Sequence, residues 1–149
     1  MEQTANVLLL VRDDDFLKLS KHGTIWGTVY LQIGDNTFFP GIGWTDIVVA
    51  VAAEWLDALL SLSAGSAQRE TSRFFDGDCI VQLTAIQSGL VQLHFIRDEL
   101  VQASVTGKLS NLLANARATA KELLSMCGQK GWSNTDTTTL AALLQDELD

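Results

Sequence analysis

Few side chains in this chain of 149 residues stand at spacings that could do chemistry. Asp13-Asp14-Asp15 and Asp76-Gly77-Asp78 offer carboxylates to a divalent cation, yet both lack the spaced oxygens and closing glutamate of a hand-type calcium loop. Adjacent carboxylates point in different directions. A solvated turn therefore accounts for the first run and a tight hairpin turn for the second. His94 falls on the polar side of an alternating strand, where a histidine can exchange protons, but the sequence places no Ser, Cys or carboxylate beside it. His22 and His94 stand far apart, and there is no Cys-x-x-Cys, so no metal-ligand spacing arises. Cys79 and Cys127 read as buried, reduced thiols. Gly41-Ile42-Gly43 precedes a helix, but it lacks the lysine and the full glycine pattern of a phosphate cradle. The expectation is a protein that is not an enzyme, with no catalytic residues, no metal and no cofactor.

The elements that position these groups are easier to read. The single proline, Pro40, and two glycines break the chain before Thr45 or Asp46, either of which can cap a following helix. On that helix Asp46, Ala50, Glu54, Asp57 and Ser61 share one narrow stripe, and the rest is apolar through Leu62, as in a helix largely sunk into a core. Trp44 and Trp55 are spaced to face one side of that core. Ser63-Ala64-Gly65-Ser66 stops the helix. Val7 to Val11 reads as a buried strand, Phe16 to Ser20 is ambiguous, Thr24 to Ile33 is a clear strand, and Thr37-Phe38-Phe39 returns briefly. Arg69 to Phe75 and Cys79 to Ala85 form a hairpin, followed by strands from Leu90 to Ile96 and Leu100 to Val105. Lys108 to Cys127 is a second long amphipathic helix, stopped by Gly128, and Thr135 or Asp136 caps a short last one. Short spacings favour antiparallel neighbours. The predicted fold is α+β in a single domain over residues 1–149. It has an antiparallel sheet of five to six strands, two long helices packed on one face and a short C-terminal helix.

Alternation leaves one sheet face polar. Val81, Leu83, Val91, Leu93, Phe95, Val101 and Ala103 are expected inward, and Gln82, Gln92, His94 and Gln102 outward. Trp26, Thr28 and Tyr30 stand on the polar side of their strand, where aromatics mark a partner-binding patch unless the N-terminal segment or the last helix covers them. The net charge of −8 disfavours nucleic acid and anionic membrane as partners and suits a basic protein partner. The N-terminus carries no positive charge, and Val7 to Val11 is too short for a signal-peptide core, so a cytoplasmic protein is expected.

Phe39-Pro40-Gly41-Ile42-Gly43-Trp44-Thr45-Asp46, an aliphatic helix with Trp55-Leu56 and Leu59-Leu60, and then Arg73-Phe74-Phe75-Asp76-Gly77 resemble a group of small bacterial proteins. Some of these look like immunity proteins of toxin systems. The resemblance spans roughly residues 22 to 97 and implies a protein that occludes a cognate toxin, but it names no catalytic residue. The expected partner surface combines Trp26, Thr28, Tyr30, Gln82, Gln92, His94 and Gln102 with Asp13, Asp14, Asp15, Asp76 and Asp78. Two other readings stay open: a small enzyme or ligand carrier with a pocket between sheet and helices, and a module that pairs with its twin as a homodimer.

Overall fold

A computed structural model, describing residues 4–87 and 89–145, sets the apolar segment at the centre as helix α1 (Val48–Ala64). The chain is α+β with antiparallel strands throughout, two long helices and a short C-terminal one. The strands divide into two sheets. The first contains β1 (Val7–Val11), β2 (Lys18–Leu19), β3 (Ile25–Ile33), β4 (Thr37–Phe39) and β5 (Thr45–Asp46), all pairing with β3. The second is a meander of β6 (Arg69–Phe74), β7 (Cys79–Gln87), β8 (Leu90–Arg97) and β9 (Leu100–Lys108). A backbone hydrogen bond from Ala5 N–H to the Thr106 carbonyl, 2.8 Å, ties the chain entering β1 to the outer strand of the meander.

Helix α1 packs on β3 and β6, on α2 (Leu109–Gln129) and on α3 (Thr135–Gln145), so its wide apolar arc is buried by partners on several sides. The polar stripe runs along β6: Ser61 donates to Glu70, and Glu54 accepts from the backbone and guanidinium of Arg73, 2.7 Å at the closest approach. Its partner Glu54, by hydrogen bond and by charge, pushes the already high pKa of Arg73 further up. Close approach of α1 to β3 depends on Gly27, where an added Cβ would lie 3.0 Å from Leu17 and 3.2 Å from Val48.

Both helix caps expected from sequence fall elsewhere. Ile47 occupies the N-cap of α1 without a side-chain bond, because Asp46 is engaged in the loop described below. Asn134, rather than Thr135 or Asp136, caps α3. Its Oδ1 accepts from Thr137 N–H while Thr137 Oγ1 accepts from Asn134 N–H, both at 2.9 Å, a reciprocal capping arrangement. Gly65 ends α1 in the left-handed conformation as expected. Gly128 does not end α2. The helix continues to Gln129, and the turn with positive φ comes at Gly131.

Cys79 and Cys127 are buried and unpaired. Burial pushes the Cys127 thiol up, against the lowering effect of Lys130, which keeps it protonated and a poor nucleophile. Among the described residues no helix is long and apolar enough to cross a membrane.

Candidate functional site: a three-loop end of the meander

The two segments that carry the resemblance meet at one end of the meander. Asp46, with no exposed surface, is the residue that joins them. Its Oδ2 accepts from the Trp44 indole N–H (2.9 Å), from Phe75 N–H (2.9 Å) and from Asp76 N–H (3.1 Å), and its Oδ1 accepts from Ile47 N–H (2.7 Å). A buried carboxylate is tolerated when donors replace its water, and here four do. Trp44 lies flat enough against the 75–78 turn that a Cβ on Gly77 would come within 3.3 Å of its ring, and Gly77 has a φ of 145° that disfavours any side chain. The Arg97 guanidinium sits 5.6 Å from the centre of the Trp44 ring, and Asp98 N–H donates to the Asp78 carbonyl. Beneath the loops, Phe39 packs against Phe74 and Phe95, linking the two sheets. Three loops are thereby fixed side by side: 41–46, 75–78 and 98–99.

This end carries exposed apolar side chains and acids together, with Arg73 5.2 Å from the centre of the Phe75 ring, which faces the groove between α1 and α3. Ile42 (67%), Phe75 (38%), Leu100 (67%) and Val101 (57%) are exposed here, alongside Asp76, Asp78, Asp98 and Glu99. Asp98 and Glu99 both have positive φ, 51° and 69°, so the two-residue turn is held in a conformation that suits Asn-Gly better than Asp-Glu. Asp98→Asn with Glu99→Gly is expected to raise stability by about 1 kcal/mol, read as a higher urea midpoint. An unchanged or lower midpoint would mean that the turn relaxes at no cost.

The expected partner surface is distributed over several places. Gln82 and His94 are cross-strand partners on the outward face of the meander, next to Gln92, and His94 Nδ1 lies 2.7 Å from Ser104 Oγ. Gln102 is the extra residue of a bulge between β8 and β9, its side chain bonded to the Leu100 carbonyl. That bulge reverses the parity of the strand start, so Val101, expected inward, opposes Ile96 on the outer face. Thr28 and Tyr30 are not wet. The N-terminal segment covers them: Thr28 donates to Asp14, Arg12 donates to the Tyr30 hydroxyl at 2.7 Å, and Phe38 packs edge-on against the Tyr30 ring. Trp26 is half-buried, opposite Lys18.

Asp13 pairs with Lys130 at 3.3 Å, Asp14 accepts from Phe16 N–H as an Asx turn, and Asp15 is exposed. These three acids belong to the covering segment and not to the open face. Asp76 and Asp78 are exposed at the three-loop end. Sequence reasoning missed Trp44, Leu100, Val101, Asp98 and Glu99 as members of this end. The signal that could have found the last two was a two-residue loop between β runs without a glycine. Among the described residues no group of His, Cys, Asp or Glu is placed to hold a metal ion. Compared with protein-family models, with curated proteins and with solved structures, the chain shows no match.

Proposed function

We propose that the protein is a non-enzymatic interaction protein that docks a basic protein partner on the three-loop end, as an immunity protein occluding a toxin in the cytoplasm would. The observation that carries this reading is that exposed Ile42, Phe75, Leu100 and Val101 and the acids Asp76, Asp78, Asp98 and Glu99 share one end of the meander, where Asp46 fixes the 41–46 and 75–78 loops and Asp98 N–H bonds the Asp78 carbonyl. Exposed apolar and charged side chains together are what interfaces use, and pre-set loops lower the ordering cost of binding. The acids steer a cationic partner and the apolar side chains hold it. Steric occlusion needs no catalytic group.

Co-expression with the product of the neighbouring gene tests the proposal. The two proteins are expected to co-elute, and Leu100→Asp with Val101→Asp should weaken the complex by at least about tenfold. Failure to co-elute, or an affinity untouched by these substitutions, would overturn it.

A further inference from the structure

We propose that the outer face of the meander, away from the three-loop end, binds an acidic, extended protein segment through Arg69, Gln82, Gln92 and His94. The chain carries 18 acids against 10 bases, so an acid-free surface is unexpected. Glu70 is the one acid within β6–β9, and its register opposite buried Leu83 turns it to the helix side, where Ser61 donates to it. The outward positions hold Arg69, His94 and Lys108 among Gln, Thr, Ser and aliphatic residues, and Arg73, which is neutralised by Glu54 of α1.

Arg69, Thr71, Gln82, Thr84, Gln92 and His94 line a depression of about 240 Å³ together with the cross-strand pair Glu70 and Leu83, whose register turns their side chains to the helix side. Among the described residues, the side chains of Arg69, Gln82 and Gln92 make no hydrogen bond or ion pair with the protein. These donors line one open depression, and among the described residues nothing satisfies them. A carboxylate-bearing ligand supplies the acceptors and the negative charge that the face lacks.

The spacing favours an extended occupant. Arg69 on β6 and Lys108 on β9 flank the face, and three strand spacings, ~14 Å, separate those strands. About four extended residues cover that span. The acids of the three-loop end do not repel such a ligand. They lie four residues along β7 and β8 from Gln82 and His94, ~13 Å and beyond the ~8 Å over which charge is felt at physiological salt. The site is independent of the docking reading above, which needs the opposite end and the opposite charge.

Fluorescence anisotropy with a labelled Glu-rich decapeptide, against its all-Gln counterpart, tests the proposal. The Glu-rich peptide is expected to bind saturably and the Gln peptide not. Arg69→Glu should weaken binding about tenfold, whereas Lys121→Glu on α2, an equal change in net charge, should leave it unchanged. Gln82→Ala with Gln92→Ala keeps the charge and should also weaken binding. No saturable binding, equal binding of both peptides, or equal effects of Arg69→Glu and Lys121→Glu would overturn the inference.

Discussion

Asp46→Ala is expected to cost about 4 kcal/mol of folding stability, the largest effect of any polar substitution in the chain. The side chain is fully enclosed, and its removal leaves the Trp44 indole and the amides of Ile47, Phe75 and Asp76 without acceptors. Each stranded donor costs roughly 1–3 kcal/mol, less where water enters the space left behind. Asp46→Asn keeps the volume but turns an amide N–H₂ toward other donors, for a loss of about 2–3 kcal/mol. Urea unfolding measures both, and hydrogen exchange at Phe75 and Asp76 should accelerate in each. A loss below about 1 kcal/mol for the alanine variant would show that the carboxylate does not hold the loops together.

The second large effect falls on α2, which serves the outer edge of β1. Asn115 Oδ1 accepts from Leu9 N–H at 2.8 Å, and Thr119 Oγ1 donates to the Leu9 carbonyl at 2.8 Å. Strand β1 pairs with β3 on its other side, so these two side chains, one helical turn apart, stand where another strand would be. Asn115→Ala with Thr119→Val leaves both backbone groups of Leu9 orphaned and should cost about 3 kcal/mol. The loss should exceed that of either single variant, and the Leu9 amide should lose its exchange protection. Retained protection in the double variant would sink the explanation.

These residues mark where sequence stopped being informative. Apolar periodicity revealed the α1 arc, the alternation of β7 and β8 and the inward row of α2, because burial repeats with the geometry of the element. Asp46 looked like a helix cap because its type and position suit one. Only the arrival of Phe75 and Asp76 from another element recruits it as an acceptor. Tyr30 and Thr28 alternate with core residues as an exposed row would, and no local pattern announces that Arg12 and Asp14 fold back over them. Val101 was misplaced by a one-residue bulge, which flips every side chain beyond it. Trp44 and Trp55 suited one helix face, yet Trp44 lies in the loop before α1 while Trp55 is buried within it. The same limit applies to the candidate site. Individual acids were visible, but the end they form is assembled by bonds between loops distant in sequence.

The anchoring of β1 has a consequence for synthesis. Leu9 meets its partners across 106 and 110 positions of sequence, whereas the meander pairs each strand with the next. On the ribosome the meander can therefore close early, while the outer edge of β1 at Leu9 waits for Asn115 and Thr119. Until then that edge offers unpaired backbone groups to other chains.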